Sequence, residues 1–225
     1  MVGSKMSREK SKPEAKSAAD FIPPDPTLPR LTEAAASCTG CELYKQATQT
    51  VFGEGPRKAK VFFVGEQPGD QEDRAGHPFV GPAGSLLNKA LIEAGIARGE
   101  TYVTNAVKHF KWEPQGKRRK HKKPNAAELA ACKPWLQAEL NAIRPKVVVC
   151  LGLTAAQSVF GRAVRLGDVR GTFHKTSLAD DVFATIHPSS VLRHPEKEQR
   201  DEEYRKFVSD LRLVRERLSS HHPEG

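Results

Sequence analysis

Residues 60–70 read KVFFVGEQPGD, an apolar run that ends at Gly65 and passes directly into a polar, turn-forming segment. A short uninterrupted apolar run of this kind is typical of a strand buried on both faces. Similar runs recur at 146–151 (KVVVCL) and 182–186 (VFATI), and the segment 101–107 is β-branched and strand-like. These four segments predict a central β-sheet.

Helical patterns fill the stretches between the predicted strands. Apolar residues recur at three- and four-residue spacing within 82–96, and Asn125 is a suitable N-cap for a helix over 125–143. Two further helices are predicted over 154–160 and 196–218. This alternation predicts an α/β fold, a three-layer α/β/α sandwich with a mainly parallel central sheet.

Length and local composition predict the domain organisation. The 225 residues suit one domain with tails. Residues 1–30 are polar and then rich in proline, and they predict a flexible tail. Residues 31–220 predict a single domain, and residues 221–225 a frayed C-terminus. A single domain with a polar surface favours a monomer.

Composition disfavours membrane and secreted proteins. Apolar residues make up 38% of the chain, and no apolar run approaches the ~20 residues of a membrane span. The first residues lack the apolar core of a secretory signal. Four cysteines are too few for a disulfide scaffold of this length. We therefore expect a cytoplasmic protein without membrane contact, whose thiols bind a metal or stay free.

Positive charge is concentrated in one segment. The chain has 36 Lys and Arg against 27 Asp and Glu, and residues 108–123 hold eight of the cations and one acid, Glu113. A focused basic segment favours a polyanion such as nucleic acid, because each neutralised phosphate releases counterions. A solvated loop or a localisation signal is the alternative that charge alone leaves open.

The four cysteines form a candidate metal site. Cys38 and Cys41 are a C-x2-C pair, Cys132 lies far along the chain, and Cys150 lies in a predicted strand. Four thiolates suit either a tetrahedral zinc ion or a [4Fe–4S] cluster, and the spacing does not decide between them. Alternatively, Cys150 is only a small apolar residue of a buried strand.

Three polar motifs follow predicted strands. Residues 65–70 (GEQPGD) follow the first, Asn105 lies near the end of the second, and residues 187–193 (HPSSVLR) follow the last. Ligands of parallel α/β sheets bind beyond the carboxyl ends of the strands, so these motifs are expected to converge. The glycines let backbone N–H groups approach a ligand closely, although each motif alone also fits an ordinary turn or cap.

Taken together, GEQPG (65–69), PFVGPAG (78–84), VTNAVKH (103–109) and HPSSVLR (187–193) resemble the uracil-DNA glycosylase superfamily over about residues 37–214. The cysteine pattern is similar to that of its iron–sulfur families. The resemblance implies a [4Fe–4S] cluster on Cys38, Cys41, Cys132 and Cys150. Its implied role is structural, tying the N-terminal segment to the helix and strand that flank the basic segment.

The resemblance also implies a uracil pocket. Phe79 would stack on the base, the Asn105 amide would pair with uracil N3–H and O4, and His187 would donate to O2 as negative charge develops there. Cytosine reverses the donor and acceptor that face Asn105, so a fixed amide would discriminate between the two bases. Further pocket residues implied by the resemblance are Gln67, Gly69 and Asp70.

The segment 116–124 (GKRRKHKKP) resembles the KRRIH loop of UdgX-type proteins, a group in this superfamily that becomes covalently bound to uracil-containing DNA. This resemblance implies that His121 attacks the deoxyribose C1′ and that Glu66 orients or deprotonates His121. Together with His187, these are the predicted catalytic residues. Lys120 stands where isoleucine is usual, which could loosen the packing of the loop.

Uracil-containing DNA is the predicted partner. Single-stranded DNA is favoured, because a base in a duplex must first be flipped out. The predicted DNA contacts are Lys117, Arg118, Arg119, Lys120, Ser189 and Arg193. Two other hypotheses stay open. One is a conventional glycosylase in which water attacks C1′ and the enzyme turns over, and the other is a non-catalytic DNA-binding module with a degenerate pocket.

Overall fold

A computed structural model describes residues 17–161 and 163–220. It confirms the α/β fold, with helices on both faces of a mainly parallel sheet. The strands are β1 (Val61–Gly65), β2 (Thr101–Asn105), β3 (Trp112–Gln115), β4 (Arg118–His121), β5 (Val147–Leu151), β6 (Phe173–His174) and β7 (Val182–Thr185). The helices are α1 (Leu28–Ala35), α2 (Asp70–Ala75), α3 (Pro82–Ala94), α4 (Ala126–Ile143), α5 (Leu153–Phe160), α6 (Leu166–Val169), α7 (Pro188–Leu192) and α8 (Lys197–Ser220).

The sheet has the strand order β2-β1-β5-β7-β6. Its first four strands are mutually parallel, and the edge strand β6 is antiparallel to β7. In register, Gly65 lies beside Asn105 and Val64 lies beside Cys150. The carboxyl ends of four neighbouring strands therefore meet along one edge of the sheet.

The four parallel strands are buried along their whole length. The apolar runs of β1, β5 and β7 predict this burial, whereas β2 also buries Thr101, Thr104 and Asn105. Successive side chains alternate between the two faces. Val61 and Phe63 pack into a core with α3 and α8, whereas Phe62 and Val64 pack into a core with α4 and α5. The sheet is thus covered on both faces, and its carboxyl edge remains for a site.

The fold begins earlier than the sequence predicts. A third core contains Ala18, Leu31 and Trp135, and Ala18 is only 1% exposed within a short 3-10 turn, Ala18–Phe21. Because this turn and α1 bury apolar side chains against α4, residues 17–30 belong to the folded domain and not to a flexible tail. The rest of the predicted tails, residues 1–16 and 221–225, lies outside the described residues.

The basic segment is not simply a solvated loop. β3 and β4 form an antiparallel hairpin apart from the main sheet, with Trp112 opposite His121. Lys108 lies before this hairpin and is fully buried, with Nζ 2.6 Å from Glu139 Oε2. The exposed positive surface is therefore smaller than the eight cations of the segment suggest.

Other differences from the sequence predictions are local. β2 ends at Asn105 instead of 107, where the chain turns away toward the hairpin. The short helices α2, α6 and α7, of six, four and five residues, were too short to show a helical period. Within the described ranges, no helix is both long and apolar enough to span a membrane.

Replacing Glu139 by alanine should destabilise the fold strongly. Its buried carboxylate accepts hydrogen bonds from Lys108 Nζ (2.6 Å), Tyr102 Oη (3.0 Å) and the Gly53 N–H (3.1 Å). Loss of the carboxylate leaves a buried ammonium without its counter-charge, which costs about 3–5 kcal/mol of unfolding free energy. Chemical denaturation measures this loss.

A surface pair provides the control for this prediction. Glu202 and Lys206 are both about half exposed and lie 2.8 Å apart, so Glu202→Ala should cost less than about 1 kcal/mol. The double replacement Lys108→Met with Glu139→Leu removes both buried charges and should recover much of the stability lost in Glu139→Ala. Equal effects of Glu139→Ala and Glu202→Ala would contradict the proposed importance of the buried pair.

Candidate functional site

Four neighbouring strands each deliver one polar side chain to the carboxyl edge of the sheet. Asn105 ends β2, Glu66 follows β1, Thr154 follows β5, and His187 follows β7. Because the strand order is β2-β1-β5-β7, these side chains come from successive positions along the edge. They line one cavity of about 780 Å³.

Most of the predicted site residues line this cavity. Those that do are Glu66, Gln67, Gly69, Asp70, Phe79, Asn105, His121, His187, Ser189 and Arg193. The other predicted DNA contacts, Lys117, Arg118, Arg119 and Lys120, lie on the hairpin and not among the lining residues. Thr154 was missed by the sequence analysis, although its position just after a predicted strand was a usable signal.

Gly65 allows Phe79 and Asn105 to come together. A Cβ atom at Gly65 would lie 2.3 Å from Asn105 Oδ1 and 2.9 Å from Phe79 Cζ, so any larger residue would displace the pocket side chains. Phe79 itself has a left-handed backbone, with φ 57°. The Phe79 carbonyl oxygen lies close to Gly84, and a Cβ atom at Gly84 would lie 1.7 Å from that oxygen. Two glycines thus hold the Phe79 ring beside the Asn105 amide.

His187 is a neutral imidazole with a defined tautomer. Its Nδ1 accepts the Ser189 backbone N–H at 3.1 Å, and Ser189 Oγ lies 2.7 Å from the same atom. A backbone N–H can only donate, so Nδ1 carries no proton and Nε2 carries one. Burial, together with the nearby charges of Arg193 and His121, lowers the pKa of His187 to about 4. At neutral pH, Nε2–H is therefore available as an uncharged donor.

His121 and Glu66 form a polar pair at the mouth of the cavity. His121 Nε2 lies 3.4 Å from Glu66 Oε1, and the His121 side chain is half exposed. Burial of the ring lowers the pKa of His121. The charge of Glu66 raises this pKa, and the charge of Arg193 lowers it. The net direction favours the neutral imidazole at pH 7, which retains a lone pair.

Gln67 ties both arms of the hairpin to the sheet edge. Its Nε2 donates to the carbonyl oxygens of Lys111 (3.2 Å) and Lys122 (3.0 Å), and its Oε1 accepts the Lys111 N–H at 3.1 Å. Gln67 is 7% exposed, so these hydrogen bonds are shielded from water. This side chain fixes the segments on either side of β3 and β4, and thereby the place of His121.

Arg119 points inward, unlike its neighbours. Its guanidinium donates to Asp70, to Asp73 Oδ2 at 2.6 Å and to Thr48 Oγ1 at 3.1 Å, and it lies over the Phe110 ring. The side chain is only 13% exposed. Arg119 and Asp70 thus neutralise each other, and the pair fastens the hairpin to α2. The outward cations of the hairpin are Lys117, Arg118 and Lys120.

Three of the four cysteines share one environment. Cys38 and Cys132 lie in the third core, with Cys41 packed against it. Trp135 Nε1–H donates to Cys38 Sγ at 3.2 Å, and the Lys108 backbone N–H donates to Cys132 Sγ at 3.3 Å. Burial raises the pKa of Cys132 to about 12, and the charges of Cys41 and Cys38 contribute to this shift. N–H donors to sulfur suit thiolate ligands of an iron–sulfur cluster.

Cys150 does not share this environment. Its side chain lies in the core between the sheet and helices α4 and α5, and burial alone raises its pKa. None of the four cysteines forms a disulfide bond. Among the described residues, no group of three or more His, Cys, Asp or Glu side chains is drawn together tightly enough for a single metal ion.

His109 is a buried side chain that the sequence analysis did not single out. It is 4% exposed and directly follows Lys108, whose N–H bonds to Cys132. Its Nε2 lies 2.9 Å from Thr50 Oγ1, which donates to the Ala35 carbonyl. The Cys38 N–H donates to that same carbonyl. His109 therefore lies beside the turn that leads into the C-x2-C pair.

Comparison with known proteins points to one family. The profile described as the Uracil DNA glycosylase superfamily matches residues 52–212. The chain is similar to the type-4 uracil-DNA glycosylase of Pyrobaculum aerophilum, with 39% identity over 175 residues, 75% of this chain and 86% of that protein. It is also similar to the type-4 uracil-DNA glycosylase of Thermotoga maritima, with 40% identity over 171 residues, 76% of this chain and 85% of that protein.

Replacing Arg119 by alanine should loosen the hairpin. The substitution removes the hydrogen bonds to Asp70 and Asp73, and bonds to charged groups are among the stronger ones in proteins. Amide hydrogen exchange of residues 112–121 should accelerate by about tenfold or more. Arg118→Ala is the matched control, since Arg118 is exposed on the same strand. Equal exchange in the two variants would show that Arg119 does not hold the hairpin.

Proposed function

The chain belongs to the uracil DNA glycosylase superfamily, and we propose that it excises uracil from DNA and then binds covalently to the sugar through His121. The observation that carries this proposal is the position of His121. The hairpin brings this imidazole to the mouth of the cavity that holds Phe79, Asn105 and His187, and Glu66 lies against it.

Asn105 and Phe79 account for base selection in this proposal. The Asn105 side chain is 3% exposed at the end of β2 and offers one amide donor and one amide acceptor, the pair that uracil N3–H and O4 require. A base that mismatches it leaves buried polar groups unpaired, which is costly. Phe79, held over Gly65, offers an apolar ring face for stacking.

His187 stabilises the departing base. As the C1′–N1 bond breaks, the bonding electron pair passes to uracil, and negative charge develops on uracil O2. The neutral Nε2–H of His187 can donate to that oxygen without becoming charged itself. Loss of one donor of this type typically slows a reaction roughly 10²–10³-fold. Uracil leaves as an anion, and an oxocarbenium-like sugar remains at C1′.

His121 captures that sugar. A lone pair of the neutral imidazole forms the new bond to C1′, and the ring proton passes toward Glu66, so the ring is left neutral as a substituted imidazole. The outward side chains of Lys117, Arg118 and Lys120, with Arg193 and Ser189 at the cavity, are suited to phosphate contacts. Single-stranded DNA is the favoured substrate, since its bases need no unpairing.

The exposure of Lys120 bears on its place in this proposal. Its side chain is 54% exposed, and its Nζ lies 3.8 Å from Glu113 Oε1 on the opposite strand. The inward position next to it belongs to Arg119. The departure from the usual isoleucine is therefore compatible with a well-placed His121.

The second candidate function is a conventional, multiple-turnover glycosylase. It is favoured by the similarity to the type-4 uracil-DNA glycosylases. In that case water attacks C1′, and His121 serves only as a polar residue of the loop. Incubation with uracil-containing single-stranded DNA distinguishes the two, because only capture gives a protein–DNA band that resists denaturant.

His121→Ala and His121→Ser should abolish the covalent band. Excision should continue, because His187 and Asn105 still hold the base and water can reach C1′ in place of the imidazole. A denaturing gel should show free abasic DNA, and mass spectrometry of the wild-type complex should place the adduct on the peptide that contains His121. His174→Ala, which changes a histidine outside the cavity, serves as the control.

Two outcomes would contradict this assignment. A covalent band that persists in His121→Ala would exclude His121 as the nucleophile. An adduct on Lys120 or Lys122 would instead indicate Schiff-base trapping of an abasic site by a lysine.

We further propose that Cys38, Cys41 and Cys132 hold a [4Fe–4S] cluster with His109 as the fourth ligand. The packing of Cys150 into the separate core between the sheet and helices α4 and α5 argues against the ligand set predicted from the sequence. His109 is buried, directly follows Lys108, whose backbone N–H bonds Cys132 Sγ, and offers a ring nitrogen. When bound, the cluster would tie the N-terminal segment to α4, a structural role that matches the burial of Ala18 and Leu31 in the same core.

Purified protein should therefore be brown and contain about four irons per chain. Cys150→Ala should keep its colour and iron, whereas Cys132→Ala and His109→Ala should lose them, because they remove proposed ligands. His109→Cys should retain iron with an altered visible spectrum. Loss of iron in Cys150→Ala together with retention in His109→Ala would restore the ligand set predicted from the sequence, and a colourless, zinc-loaded protein would refute the cluster.

A further inference from the structure

The two carboxylate oxygens of Glu66 have different partners. Oε1 lies 3.4 Å from His121 Nε2, whereas Oε2 accepts a hydrogen bond from the Thr154 hydroxyl. The first contact links Glu66 to the hairpin, and the second links it to the sheet side of the cavity. Thr154 thus stands behind Glu66, on the side away from His121.

Thr154 is well placed to be a fixed support. It is 3% exposed and is the second residue of α5, immediately beyond the carboxyl end of β5. The turn at Gly152 has φ 88°, and a Cβ there would lie 3.1 Å from the His187 Cβ. The start of α5 therefore lies between the end of β1, which Glu66 follows, and the end of β7, which His187 follows. A hydroxyl at this position moves little relative to either of them.

Glu66 needs such a support. A glutamate side chain has three torsions, and the last of them, which turns the carboxylate plane, has only a broad preference. Its side chain is 23% exposed, so water competes for both oxygens. A buried donor to Oε2 fixes the plane, and Oε1 then faces the histidine.

We infer that Thr154 is a positioning residue for the capture step: its hydroxyl orients Glu66, which in turn orients His121 and receives its proton. This inference rests on the proposed covalent function. Thr154 does not itself touch the reacting atoms in this scheme. The relay from Thr154 through Glu66 to His121 joins β5, β1 and the hairpin.

Thr154→Val tests the inference, because valine keeps the shape of threonine and removes the hydroxyl. The quantity to measure is the partition ratio, the amount of covalent adduct divided by the total uracil released in a single turnover. Thr154→Val should lower this ratio by roughly tenfold to a hundredfold, as expected for the loss of a hydrogen bond to a charged group. Thr154→Ser retains a hydroxyl and should restore most of the ratio.

Thr101→Val is the structural control. Thr101 is also fully buried and its hydroxyl is hydrogen-bonded, but it lies at the opposite end of β2. The Thr101→Val substitution should lower the melting temperature of the protein without changing the partition ratio. In a Glu66→Gln background, Thr154→Val should change the ratio little, because the two residues act through one contact.

The outcomes separate the inference from the function on which it rests. If wild-type protein forms no adduct, or if His121→Ala still forms one, the covalent function fails whatever Thr154 does. If wild-type protein forms the adduct through His121 and Thr154→Val keeps the wild-type ratio, the inference about Thr154 is overturned. An effect of Thr154→Val that is undiminished in the Glu66→Gln background would also overturn it.

Discussion

The parallel alignment of β2, β1, β5 and β7 is the constraint on which the site depends. Parallel strands point their carboxyl ends to one edge, and the register Gly65 to Asn105 sets the first two ends side by side. Each strand needs to supply only one polar side chain to the site, while its own length stays buried. The stability of the sheet and the polarity of the site are therefore compatible, because they occupy different parts of the same strands.

The parts of the fold that the sequence predicts are those with a local signal. The apolar runs at 60–65 and 146–151 can bury themselves only in a covered sheet, and the motifs at their ends then fall together by geometry. Asn105 and His187 could be assigned to the site for this reason. The start of the domain was misjudged, since the polar and proline-rich composition of residues 17–30 gives no hint that Ala18 is buried against α4.

The side chains that the sequence analysis misjudged depend on distant partners. Arg119 looks like any other cation of its run, but Asp70 and Asp73 lie 49 and 46 residues away and draw it inward. Lys108 is buried because Glu139, 31 residues away, meets it in the core. Thr154 matters to the site only once Glu66 is known to face it. Such pairings follow from the packing of the whole domain, and no local sequence pattern predicts them.

The anchoring of the hairpin has a consequence for competition with solvent. Gln67 and Arg119 fix the hairpin in the free protein, so the imidazole of His121 stands at the cavity before any strand of DNA enters. A group held next to a reactive carbon has an effective molarity that can reach about 10⁵ M or more, far above the concentration of bulk water. An oxocarbenium-like sugar is too short-lived for a mobile loop to find it. For the proposed reaction, rigidity of the hairpin would therefore set the ratio between attack on C1′ by the His121 imidazole and attack on C1′ by water.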